Sequence, residues 1–469
     1  MSDTTRPADP APEGIIDDPY RLNPANIQEP PRGWKASLRF LGPGMITSAA
    51  IVGSGELITT TTLGAQVGFV LLWLVFVSTF VKVAVQIELA RWSISTGKAS
   101  IFGYDEVPPK IGRHSWVSYL TAIQFVPQLL TQSGLITASG LALALILPVN
   151  GEPGSMVSVV FWVAILVVGA IGIHVANRYE IVEKVSTALV VLVVVSVVSL
   201  VVVVQWTPFA WSAADIGGGL QFQIAMGAVG VAISMFGITG TGALEITGYS
   251  FWCLEKGYAA WTGPNDGSEE WARRASGWIA VMKKDAWVSW GVYTAATAAF
   301  YMLGAAVLHP QGLVPKGNDV LTTLSRIFTD SLGSWAGVAF MVLAVVTLYK
   351  TILSNIPSFS RMITACIAVF GVFDWALTGV RRRWVRALII AQPILFGVVG
   401  VLTNSPLALV IFGGIANAFY LIAVAVATVY LTYTQTDPRI RAEKTGAAYL
   451  MISSLAIIAV GVFGLIAVF

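Results

Sequence analysis

Charge is what this sequence has least of: of 469 residues only 11% are Asp, Glu, Lys or Arg, against 56% that are hydrophobic. A water-facing surface cannot be built from so few charges, which excludes an ordinary soluble domain. Cysteine is nearly absent. The two present, Cys253 and Cys366, stand near expected span ends in no CxxC or Cys/His ligand spacing, so neither a disulfide framework nor a structural zinc site follows. The three histidines, His114, His174 and His309, each lie near the end of an apolar run, and no HExxH, GxSxG or intramembrane aspartate pair accompanies them. That argues against an intramembrane enzyme, and no cofactor is expected. The net charge of +3 is scattered between apolar runs, so a nucleic-acid surface has no footprint. Residues 1–36, with seven prolines before Trp34 and no apolar core, lack the pattern of a cleaved signal and read as a disordered cytoplasmic tail.

What the chain does have is apolar length. Crossing a hydrocarbon core of about 30 Å takes about 20 apolar residues. Runs of that size fall near 39–63, 68–93, 117–148, 155–176, 184–206, 221–252, 286–308, 334–357, 385–403, 406–433 and 447–468. The expectation is an all-α integral membrane protein of about eleven transmembrane helices. Its core would cover 37–433 in two repeats, about 37–206 and 221–433, with a cytoplasmic connection and a final helix over 434–469. Lysine and arginine alternate along the connections as the positive-inside rule requires. The even connections carry Arg91, Lys98, Lys110 and Arg113, then Arg178 and Lys184, then Arg273, Arg274, Lys283 and Lys284, then Arg361 and Arg381 to Arg386, then Arg439, Arg441 and Lys444, while the odd ones hold only Lys316 and Arg326. A cell membrane with the N-terminus cytoplasmic and the C-terminus extracytoplasmic follows. Residues 362–380 read as a short re-entrant or interfacial helix, and the sixth connection, with Trp271 and Trp278 among basic residues, as an anchor on the anionic leaflet.

Two spans are interrupted by glycine in the same way. Gly53-Ser54-Gly55-Glu56 lies inside the first and Gly240-Thr241-Gly242-Ala243-Leu244-Glu245 inside the sixth, so each half of a 5+5 inverted repeat opens on a broken helix. Unwound backbone in a bilayer is tolerated only where it is buried or lines a wet cavity, and its freed carbonyls and half-helix ends can then bind an ion or solute. The plainer reading of either cluster alone is a small-residue packing contact. A carboxylate at mid-membrane costs at least ~2.5 kcal/mol, so Glu56 and Glu245 are candidates to ligate a cation or to exchange a proton, with a protonated carboxyl acting as helix glue the alternative.

Further polar residues interrupt other spans. Lys350 snorkels to the span end, pairs with Glu56 or Glu245, or puts its ammonium where related transporters hold a coupling ion. Gln124, Gln128, Gln132 and Ser133 form a polar stripe on the third span, read either as interhelical hydrogen bonding or as pathway lining. Asn355, Gln392 and Asn417 are weaker candidates of the same kind.

The run GPGMITSAAIVGSGELITTTTLGAQVGFVLLW resembles the first two spans of the NRAMP divalent-metal transporters. Gly42-Pro43-Gly44, Gly55, Thr59, Gly64-Ala65-Gln66, Gly68 and Leu71-Leu72-Trp73 match that family's pattern in order, and ARWSISTGKA with Ser95-Thr96-Gly97 looks like its next connection. The similarity is strong over about 40–108 and diffuse beyond. It implies a LeuT-type fold of the APC superfamily, alternating access, and a metal site at the first break with Thr59 beside it. The chain departs from the family at that site. Gly53 and Glu56 stand where the family's metal-binding Asp and Asn would be, and GITGTGALEITGYSFW replaces its Met-Pro-His, which removes the soft ligand and puts the family's proton coupling in doubt. Ala391-Gln392-Pro393 likewise stands where the family has an internal arginine.

The expected function is thus secondary transport of a divalent cation, with oxygen ligands favouring Mg²⁺, Ca²⁺ or Mn²⁺ and H⁺ or Na⁺ as the coupling ion. The alternatives are a small organic or zwitterionic solute on the same fold, and a membrane sensor or structural protein without flux.

Overall fold

A computed structural model describes residues 18–176 and 179–468; the side chains of Ser54, 179–186 and Val468 fall outside that description, as do residues 1–17 of the expected tail and Arg178. Among the described residues ten helical stretches are long and apolar enough to cross a membrane. The first, Gly55–Thr96, has 42 residues. At 1.5 Å per residue it would reach about 63 Å, twice a hydrocarbon core. Gly68, at φ +61°, interrupts it, and the stretch contains two crossings. Eleven spans result.

The first is Pro43–Ile51 followed, after a break, by Ser54–Thr60 and Thr61–Val67. Spans two to five are Leu72–Thr96, Trp116–Ile146, Met156–Val175 and Tyr179–Val203. The sixth is Val229–Ile238 and Ala243–Lys256. Spans seven to eleven are Glu269–Leu303, Ala336–Val369, Thr378–Thr403, Pro406–Thr434 and Lys444–Val468. Local chemistry marks several starts. Pro43 and Pro406 sit in first turns, where a missing N–H is no loss, and the hydroxyls of Ser115 and Ser268 accept N–H groups of the third and seventh helices.

Spans one, two, six and seven pack as one group, and spans three, four, eight and nine as another. The first half of span one also lies against span eight, and the first half of span six against span ten. In its most apolar stretch span six is 83% buried, whereas spans four and nine are 28% buried, so the broken spans are central and the latter two face lipid.

Three expectations change. Residues 362–369 are not a separate re-entrant helix: the eighth helix runs through Pro357 to Val369, and a turn follows. The sixth connection is not an anchor on the leaflet either. Trp271 and Trp278 are fully buried, in the first turns of the seventh helix, and Trp278 packs on Phe40, Tyr258 and Trp261. Residues 18–36, expected to be tail, are held across this end of the bundle. Asp18 pairs with Arg381 at 2.6 Å, Tyr20 donates to Glu255 at 2.6 Å, Glu29 pairs with Arg273 at 2.8 Å, and Trp278 donates to the Gln28 carbonyl at 2.9 Å.

Candidate functional site

The first half-helix stops at Val52, whose ψ of 87° leaves the helical region, and Gly53 and Ser54 start a wider turn, a π-helix over Ser54–Thr60. A π-helix loosens the carbonyl ladder, and the run of threonines here compensates: Thr60, Thr61 and Thr62 hydroxyls donate to the carbonyls of Gly55, Glu56 and Ile58 at 2.8, 3.1 and 2.6 Å. In the sixth span the helix stops at Ile238, Thr239 is extended, Gly240 takes φ +62°, and the chain re-enters a helix at Ala243. Gly53 has a different reason to be glycine. A Cβ there would meet Thr351 Oγ1 at 2.0 Å, so span eight passes directly against the break.

Glu56 joins the two breaks. Its carboxylate accepts the Gly53 N–H at 3.1 Å and the Gly240 N–H at 3.4 Å, with the Thr297 hydroxyl 3.3 Å away. The two glycines occupy the same position in their breaks, immediately after the residue that closes the half-helix. Glu56 is fully buried.

The half-helix ends are filled by lysines. Lys350, on span eight, donates to the carbonyl of Ala49 at 2.8 Å and to that of Val52. Lys82, on span two, donates to the carbonyl of Thr239 at 2.7 Å and to that of Phe236, with its ammonium 4.9 Å from the Phe236 ring centroid. Both lysines are buried, so Lys350 does not snorkel, and it contacts backbone oxygens instead of pairing with either glutamate.

The second break keeps oxygens without partners. Glu245 Oε2, Thr241 Oγ1 and Asn417 Oδ1 are buried without a well-formed hydrogen bond, and so is Thr59 Oγ1 in the first break, although the Asn417 amide lies beside the Glu245 carboxyl and the Tyr293 hydroxyl beside Thr241. Gly242 leaves room for the Glu245 carboxyl and the Asn417 amide side by side: a Cβ there would lie 2.5 Å from Glu245 Oε2 and 2.3 Å from Asn417 Nδ2, which itself donates to the Gly237 carbonyl at 2.9 Å. Buried oxygens this poorly paired suit an ion or an ordered water. Among the described residues no three His, Cys, Asp or Glu side chains converge as a metal-ligand group, so a cation here would draw on neutral oxygens and carbonyls besides its carboxylate.

Gly53, Gly55, Glu56, Thr59, Gly240, Thr241, Gly242, Glu245, Lys350 and Asn417 therefore lie at the two breaks; the side chain of Ser54 is outside the described residues. Gln124, Gln128, Gln132, Ser133 and Asn355 are buried on spans three and eight, and no hydrogen bond among the described residues links them to either break. Gln392 donates to Ser360 at 2.6 Å and to the Leu388 carbonyl at 3.1 Å, tying span nine to span eight. Sequence reasoning missed Lys82, Thr297 and Thr351. For Lys82 the signal was present, a lysine inside the apolar run FVKVAVQ. Thr297 and Thr351 carry no such mark, because a threonine in a span is commonplace.

Two broken spans side by side at the centre of a multi-pass helical bundle have the architecture of the inverted-repeat secondary transporters. Solved structures share the fold. A manganese transporter from Eremococcus coleocola aligns with TM-score 0.65 and 14% identity, covering 94% of this chain and 90% of that one. MhsT in complex with L-phenylalanine aligns with TM-score 0.56 and 15% identity over 94% of this chain and all of the other. Residues 44–468 match the family described as natural resistance-associated macrophage protein-like, Nramp, and the chain belongs to that family. Among curated relatives, the divalent metal cation transporter MntH of Granulibacter bethesdensis is 27% identical over 243 residues, which is 50% of this chain and 51% of that protein. The alignment thus spans about half of that relative's length.

Proposed function

We propose that this protein is a secondary transporter that carries a divalent metal cation across a cell membrane by alternating exposure of the site between its two broken spans, with the N-terminus cytoplasmic and the C-terminus outside. The observation that carries this reading is the set of buried oxygens at the second break without a well-formed hydrogen bond: Glu245 Oε2, Thr241 Oγ1 and Asn417 Oδ1. Family membership and the names of the relatives support a metal cargo. An all-oxygen set with no thioether or imidazole favours hard cations, so Mg²⁺, Mn²⁺ or Ca²⁺ is preferred over Cd²⁺. Glu56 holds the two breaks in register, and Glu245 supplies the charge that meets the cargo.

The test is uptake into proteoliposomes with Mg²⁺, Mn²⁺, Ca²⁺ and Cd²⁺. Flux of the hard cations, lost in Glu245→Gln, is the expected result. One observation favours a second reading, transport of a small zwitterionic solute: the two lysine ammoniums balance the two carboxylates, leaving the site with no net charge if all four are ionised. Absence of flux and of binding heat for every cation, with saturable uptake of an organic solute, would decide for it. If Glu56→Gln and Glu245→Gln alter only stability and nothing is carried, the chain is a sensor or structural protein on this fold.

A further inference from the structure

The two lysines contact the breaks in the same register. Val52 and Thr239 are the residues that close the two half-helices, immediately before Gly53 and Gly240. Lys350 takes the carbonyl of Val52 and that of Ala49, three residues earlier. Lys82 takes the carbonyl of Thr239 and that of Phe236, also three residues earlier. One ammonium comes from span eight and the other from span two, so the same local chemistry arises twice from different helices.

Those carbonyls need close donors, and the neutral hydroxyls nearby reach them only at 3.5 Å, Ser78 at the Phe236 carbonyl and Thr351 at the Val52 carbonyl. They lie at the negative end of a half-helix, and the chain beyond each break no longer offers the N–H groups that a continued helix would. The residues that supply the oxygens offer no substitute donor: Ala49, Val52 and Phe236 have apolar side chains, and the Thr239 hydroxyl is spent on the Met235 carbonyl at 2.7 Å. In a bilayer each unpaired carbonyl costs several kcal/mol, and a half-helix carbonyl end satisfied from outside is the general form of an alkali-cation site in broken-helix transporters. An ammonium has three donors and one positive charge, so it meets the same requirement while remaining covalently attached. Burial supports permanence: Lys82 is 0% and Lys350 2% exposed, with both head groups on carbonyls and away from water.

We propose that Lys82 and Lys350 are the resident cations of the two half-helix ends, filling carbonyl sites that would otherwise take Na⁺, Li⁺ or K⁺, so that this chain's cycle requires no alkali cation. For flux the inference rests on the transport reading above; for cation binding it does not, and the test separates the two.

The test uses the full chain in detergent and in proteoliposomes, comparing sodium, lithium and potassium chloride with choline chloride at equal ionic strength. The wild-type unfolding midpoint and its uptake are expected to be the same in all four. Lys350→Met and Lys82→Met leave the carbonyls to a free cation, so their midpoints are expected to fall in choline and to recover by roughly 2–4 °C or more in one alkali salt. If a variant is too unstable to purify in choline, recovery of a monodisperse sample in Na⁺ or Li⁺ is the same result. A wild type stabilised or activated by an alkali cation overturns the proposal. So do methionine variants that are equally folded, or equally unfolded, in choline and in every alkali salt. If no cargo is carried at all, the transport reading falls while the midpoint comparison still decides the lysines.

Discussion

The two breaks share a backbone plan and differ in how completely it is satisfied. Each half-helix ends on a lysine-held carbonyl pair followed by a glycine whose N–H points at Glu56. The first break is then closed, apart from the unpaired Thr59 hydroxyl, by its other threonine hydroxyls and by a carboxylate with donors from both sides. The second leaves three oxygens, Glu245 Oε2, Thr241 Oγ1 and Asn417 Oδ1, buried without a well-formed hydrogen bond. One glutamate thus accepts N–H groups from both breaks, and the other keeps a buried oxygen without a well-formed hydrogen bond. Two carboxylates that look equivalent in the sequence differ in surroundings, one bonded to both breaks and one poorly paired.

Substituting the two glutamates should break that equivalence most clearly. Glu56→Ala strands two buried N–H groups, so stability should fall by about 2–6 kcal/mol along with all flux. Glu245→Gln keeps a carbonyl oxygen beside the Asn417 amide and so leaves the fold within about 1.5 kcal/mol, yet abolishes uptake. Denaturation midpoints beside transport rates check both, and equal destabilisation by the two would remove the distinction. Next in size are the glycines. Gly53→Ala drives a methyl into Thr351 and should cost about 1–3 kcal/mol, partly recovered by adding Thr351→Ala. Gly240→Ala must adopt φ +62° and should cost about 1–2 kcal/mol, with no recovery from that second change. Measured stabilities of the double variants separate crowding from backbone strain.

The smallest expected effect lies away from both breaks. The Arg439 guanidinium hydrogen-bonded to Asp437 holds its carboxyl well below the ordinary value of 3.8. A carboxyl depressed in the folded state contributes stability above its unfolded value and loses it as pH falls through the folded one. The stability gap between wild type and Asp437→Asn should therefore persist from about pH 7 to about pH 4 and close only in stronger acid, as unfolding midpoints across that range would show.

Much of this architecture is legible in the sequence alone. Apolar runs of bilayer length, separated by short polar connections, define the eleven spans, and the paired glycine clusters at 53–55 and 240–242 define where two of them break. Helix and membrane constraints act over a few turns and leave a local mark. What could not be read depends on which helices meet. Lys82 looks like any lysine in an apolar run until span two is placed against the end of Ile238's helix, and the saturation of Glu56 depends on Gly240, 184 residues away. The inward turn of Trp271 and Trp278 was misread for a related reason. A basic and aromatic segment suits a membrane surface, but here residues 18–36 cover it and give the tryptophans a protein interior.

The most direct test of the account is where a manganese ion sits. Anomalous diffraction or cryo-EM of the protein with Mn²⁺ should show density between the breaks, against Glu245, Thr241 and Asn417, with Lys82 and Lys350 still on their carbonyls. Density at the Ala49–Val52 or Phe236–Thr239 carbonyls with a displaced lysine, or an organic molecule between the breaks and no metal at saturating Mn²⁺, would contradict it.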